Sequence, residues 1–133
     1  MFKDYDFSCW VIKYGTTSIN GSTYRKDSLK DNDGILVPLC WNHQHYDVNS
    51  ILGHAWLEHR EEGIYVYCKL LDKPEKAVVA ELIRDRGSVS ISPCINRVKK
   101  VGKYITGGFI REVSLVPVRI DPDEAYYPVI RDI

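Results

Sequence analysis

Three segments of this chain hold the residue types that acyl transfer needs. His43 stands in Leu39-Cys40-Trp41-Asn42-His43-Gln44-His45, just past an apolar run. An imidazole there can act as a general base, because its unperturbed pKa lies near neutrality. It can equally be a surface histidine at a strand end. The second segment is Ser88-Val89-Ser90-Ile91-Ser92. Strand alternation puts its hydroxyls on one face and Val89 and Ile91 on the other. Small hydroxyl residues where a core prefers bulk can line a cleft with one serine as nucleophile, or can mark a solvent-facing edge. Pro93 follows and interrupts ladder pairing, which suits a strand at a sheet edge. The third segment is Ile110-Arg111-Glu112-Val113-Ser114-Leu115-Val116-Pro117. Here Glu112, Ser114 and Val116 share one face, and Val113 and Leu115 the other. Glu112 can orient a catalytic histidine and stabilise its imidazolium, or it can pair with Arg111 or a neighbouring strand.

Two other chemistries compete for the same residues. His43-x-His45 directs two imidazoles to one side of an extended segment, with Cys40, His54 and His59 not far along the chain. Zinc favours such ligands, yet the spacing matches no closed four-ligand pattern, so no metal or other cofactor is expected. Nine Tyr, three Trp and three Phe can supply stacking platforms for single-stranded nucleic acid. Against that, 18 Lys and Arg balance 18 Asp and Glu, whereas proteins that grip phosphate backbones carry a basic excess. The run Arg97-Val98-Lys99-Lys100 fits a solvated strand end. No stretch reaches the roughly 18 apolar residues of a membrane span, and the charged start Met1–Asp6 shows no signal-peptide core. Cys9, Cys40, Cys68 and Cys94 are scattered, which fits reduced, mostly buried thiols better than a disulfide framework.

The elements that must position these residues are mainly strands. A chain of 133 residues suits one domain over 1–133 with a real core. Phe7–Tyr14, Ile35–Trp41, Ile51–Glu58, Gly63–Leu71, Ser88–Asn96 and Phe109–Val118 have strand composition, and Ile64, Val66 and Cys68 alternate with Tyr65, Tyr67 and Lys69. His59–Glu62 has the length of a hairpin link, Val101-Gly102-Lys103 that of a tight turn, and Asn20–Asn32 reads as a polar surface loop. One helix is predicted, capped by Asp72, with Pro74 in its first turn, Val78, Val79, Leu82 and Ile83 on one face, and Gly87 closing it. The expected fold is mostly β, a largely antiparallel barrel or sandwich with one or two flanking helices.

In this order, the segments resemble the prohead maturation proteases of tailed bacteriophages, a family related in fold to the herpesvirus assemblins. The resemblance rests on Trp41-Asn42-His43, the glycine-bearing Ile51-Leu52-Gly53-His54, Glu61–Val66, Ser90-Ile91-Ser92, and Glu112–Pro117 followed by Asp121–Ala125. It spans residues 34–125, and its last block is the most specific. It implies an assemblin-like fold and a serine endopeptidase with His43 as general base, Ser90 as nucleophile and Glu112 as orienting acid; assemblins use a second histidine in that last place. The implied substrates are major capsid protein and scaffold segments, including the enzyme itself, cleaved inside the assembling procapsid in the host cytoplasm. A homodimer is implied by the same analogy. Ser92 stands where the family has glycine, Gln44 where an acidic residue often follows the histidine, and the C-terminal tail is short or absent. The alternative function is a catalytically inactive capsid-assembly module on the same fold.

Overall fold

A computed structural model of the chain describes residues 4–17, 21–85, 89–117 and 129–130. The expected helix-closing Gly87, the first serine of the Ser88–Ser92 segment and the Asp121–Ala125 block lie outside the described residues. The fold is mostly β, a curled, antiparallel-rich half-barrel with one flanking α-helix among the described residues. Its strands are β1 (Phe7–Lys13), β2 (Thr23–Tyr24), β3 (Leu36–Trp41), β4 (Ile51–Arg60), β5 (Gly63–Leu70), β6 (Ser90–Val101), β7 (Tyr104–Val116) and β8 (Val129–Ile130). The helix α1 (Glu75–Arg84) links β5 to β6. The spatial order is β2-β7-β3-β4-β5-β1-β8, and β6 joins the other edge of β7.

Strand β7 is the hub of the sheet. It pairs antiparallel with β6 along most of its length, and parallel with β3 near its C-terminal end and with β2 at its start. Between β2 and β3 the edge of β7 has no strand beside it, and the Asn32 side chain fills that gap. Its Oδ1 accepts from the Ile110 N–H at 2.8 Å and its Nδ2 donates to the Gly108 carbonyl at 3.1 Å. The amide thus supplies what a parallel neighbour would, which is why a polar residue is fully buried here. The supposed polar loop Asn20–Asn32 is therefore partly interior, holding β2, a short 3₁₀ turn at Lys30–Asn32 and the buried Leu29.

The strand expectations hold with shifted ends. His59 and Arg60 extend β4, so only Glu61-Glu62 link it to β5, and Gly107-Gly108 lie within β7. Helix α1 starts without a side-chain cap: Pro74, not Asp72, occupies the cap position. Val79, Ala80 and Ile83 face inward, whereas Val78 is left largely exposed. The core gathers Phe7, Leu39, Leu57, Ile64, Val66, Val113 and Leu115, with Val79 and Ile83 of the helix in the same cluster.

Gly53 pairs with Leu70 across β4 and β5 and with Leu39 across β3 and β4. A Cβ at this position would run into the Lys69 carbonyl group. Gly53→Ala is therefore expected to cost about 2 kcal/mol or more, since backbone cannot yield as a side-chain tip can. A lowered urea midpoint with unchanged slope is the expected readout; an unchanged midpoint would show that the strands separate freely there.

Candidate active site

The site is built on the face of β7 opposite the main core. Glu112 and Ser114 are two residues apart and project together, with Cys94 and Ser92 directly across on β6 and Cys40 beside Ser114 on β3. Plain alternation would put Ile110 on this face too. It packs instead in the core with Val113 and Leu115. The reason is a β-bulge: Cys94 faces Glu112 and Ile95 faces Ile110, so Arg111 is the extra residue. Bulges re-aim side chains in this way, and here one lets Ile110 join the core while Glu112 keeps the opposite face and Arg111 goes to solvent.

His43 arrives from the end of β3. Asn42 and His43 both take left-handed backbone conformations, with φ of 52° and 60°. Each such non-glycine residue costs about 1–2 kcal/mol, least for asparagine, so the turn must be held by its surroundings. Three hydrogen bonds hold it: the Asn42 N–H to the Leu115 carbonyl at 2.9 Å, the Gln44 N–H to the Trp41 carbonyl at 3.1 Å, and the His43 N–H to Ser114 Oγ at 3.0 Å. Farther along, Ser50 Oγ donates to Gln44 Oε1 at 2.8 Å and fastens the loop to the start of β4. The turn folds the His43 ring back over β7.

The ring joins two residues from different strands. His43 Nδ1 lies 2.6 Å from Glu112 Oε1, and Nε2 lies 3.1 Å from Ser92 Oγ. An ionised carboxylate only accepts, so Nδ1 carries the proton, and in the neutral ring Nε2 then offers its lone pair to the Ser92 hydroxyl. Glu112 is fully buried, whereas the His43 side chain is 36% exposed, which leaves the histidine and serine end open to a ligand.

Burial opposes charge on Glu112. Hydrogen bonds from His43 and Ser114, and the positive charge that His43 and His45 can carry, outweigh it and hold the carboxyl below its usual 4.5. The Cys40 thiol is pushed up to about 11 by burial, by the Glu112 charge and by its hydrogen bond to that carboxylate. The Cys94 thiol is raised by burial and by Glu112, partly offset by Arg111. Both thiols therefore stay protonated beside the acid.

Two of the three sequence-derived site residues, His43 and Glu112, meet as anticipated. The third does not. The nucleophile was expected at Ser90, but the hydroxyl against Nε2 belongs to Ser92. Ser90 faces Val116, one side-chain repeat farther along β6, about 7 Å away by strand geometry, and is buried. In Ser-Val-Ser-Ile-Ser the motif repeats every two residues, so a same-face criterion cannot choose between the serines. Only the pairing of Ser92 with Ser114, the residue that anchors the His43 turn, selects one. Ser114 itself was seen only as a face-mate of Glu112; its contacts with His43 come from a turn that strand periodicity does not describe.

The zinc alternative finds no cluster. Both ring nitrogens of His43 are engaged, His59 Nε2 lies 3.2 Å from Asp27, and no three His, Cys, Asp or Glu side chains among the described residues are arranged to hold a metal ion. No helix of the described residues is long and apolar enough to cross a membrane. Comparison with protein-family models, with curated proteins and with solved structures gives no match.

Proposed function

We propose that the chain is a serine endopeptidase whose nucleophile is Ser92, whose general base is His43 and whose orienting acid is Glu112. The observation that carries this reading is the His43 imidazole suspended between a fully buried carboxylate and a half-buried serine hydroxyl, at 2.6 Å and 3.1 Å. These are the hydrogen-bond distances that proton transfer and tautomer control require. In the reaction, Nε2 takes the Ser92 proton as Oγ attacks the scissile carbonyl carbon. The tetrahedral adduct collapses when Nε2 returns that proton to the leaving amine, and the C–N bond breaks. Water then attacks the acyl ester with the same base, restoring Ser92 and releasing the acid. Throughout, Glu112 keeps the Nδ1 proton in place and offsets the positive charge of the imidazolium.

The resemblance to prohead proteases gives this chemistry a setting: cleavage of capsid and scaffold segments within a procapsid. The geometry is of the kind that such a role needs, although its serine is displaced by two residues from the motif. The test incubates the chain with phage major capsid and scaffold proteins and maps new termini by mass spectrometry. Discrete new termini that vanish with Ser92→Ala are the expected result. Intact polypeptides, from a chain that also resists serine-directed phosphonates, would point to the non-catalytic assembly module instead.

A further inference from the structure

The residue that joins the two halves of the site is neither the base nor the acid. Ser114 Oγ donates to Glu112 Oε2 at 2.6 Å and accepts the His43 N–H at 3.0 Å. Its own hydroxyl proton has a single direction to point, because the carboxylate can only accept and the backbone N–H only donates. Ser114 is fully buried, so water does not compete for either bond. The same oxygen therefore sets the position of the strained His43 backbone and the charge distribution on Glu112. No other described side chain is bonded to both.

We infer that Ser114 is a positioning residue of the acyl-transfer site, locking the His43 turn to the Glu112 carboxylate so that Nε2 is aimed at Ser92. The inference rests on the protease reading above. It makes a directional demand that simple packing does not. Without the Ser114 donor, Glu112 holds more of its charge toward Nδ1 and grips the imidazolium more tightly. A higher pH is then needed to free Nε2, and the acid limb of the activity profile moves upward. The other groups facing Glu112 are Cys40, Cys94, His45 and the neighbouring Arg111; both thiols are neutral at working pH, and Cys40 also donates to the carboxylate.

The test compares wild type with Ser114→Ala, and with Ser114→Cys, which fills the same space but donates weakly. The second-order rate of inactivation by a fluorophosphonate is followed from pH 5 to 9. The expected outcome in both variants is a loss of about tenfold or more, as befits a hydrogen bond to a charged group, with the acid limb displaced to higher pH. Wild-type rate and profile in a folded variant would overturn the inference and leave the protease reading intact. If wild type itself resists the reagent, the protease reading fails, and the positioning claim is decided by proton NMR of the His43 Nδ1–H. That resonance should move farther downfield in the variants; an unmoved resonance overturns the claim. Ser114→Cys keeps the experiment decisive if the alanine variant fails to fold.

Discussion

Ser92→Ala should lower hydrolysis of a capsid substrate or an activated ester by roughly 10⁴- to 10⁶-fold, while Ser90→Ala should leave most of it. The contrast matters because both serines lie on the same face of one strand and differ by a single repeat. Ser92 Oγ is the one within hydrogen-bond reach of His43 Nε2, and it is partly open to solvent. Ser90 is buried against the far end of β7, opposite Val116. Its loss is expected to act on stability, with catalysis following only as the folded fraction does. Comparable losses in the two variants, each shown to be folded by circular dichroism, would mean that the motif-based placement at Ser90 reaches the chemistry after all. Loss with Ser90→Ala alone would reverse the assignment outright.

Glu112→Gln should be nearly as damaging, lowering turnover by about 10⁴-fold with little change in substrate affinity. The amide is close in shape but carries no charge. It can present an N–H to Nδ1, which favours the tautomer whose Nε2 is already protonated and cannot accept from Ser92. The same carboxylate ties activity to acid stability. Its folded pKa lies below the usual 4.5, so its stabilising contribution is complete above that value. It is lost as pH falls through the lower, folded value, where protonation removes the acceptor for Nδ1 and for Ser114. Wild type should therefore weaken as pH falls below 4.5, and Glu112→Gln should show a shallower decline over that window. Equal slopes in acid titrations of the two proteins would separate Glu112 from this linkage.

What was legible in the sequence, and what was not, divides along physical lines. Alternation of apolar and polar residues marked the strands, because a half-buried strand must repeat every two residues; Ile64, Val66 and Cys68 are inside as their spacing required. The helix was visible in its apolar spacing, but Val78 stays outward because the half-barrel buries Val79, Ala80 and Ile83 and only partly covers Leu82. The bulge at Arg111 was hidden, since an extra residue changes the parity of the strand without changing its composition. The buried role of Asn32 was hidden as well, since bonding between its amide and β7 depends on where β2 and β3 part. The contact between His43 and Glu112 was anticipated through motif blocks rich enough to fix their register. The serine beside Nε2 lies one repeat from the expected Ser90 because Ser90 and Ser92 are equivalent to any rule of period two.

The most direct test of the central claim is the site of covalent modification by a fluorophosphonate, mapped by peptide mass spectrometry on the intact chain and on His43→Ala. The wild-type chain should form one adduct, on Ser92, that is absent from the histidine variant. An adduct on Ser90, or a chain that stays unmodified while folded and able to bind capsid polypeptide, would contradict it.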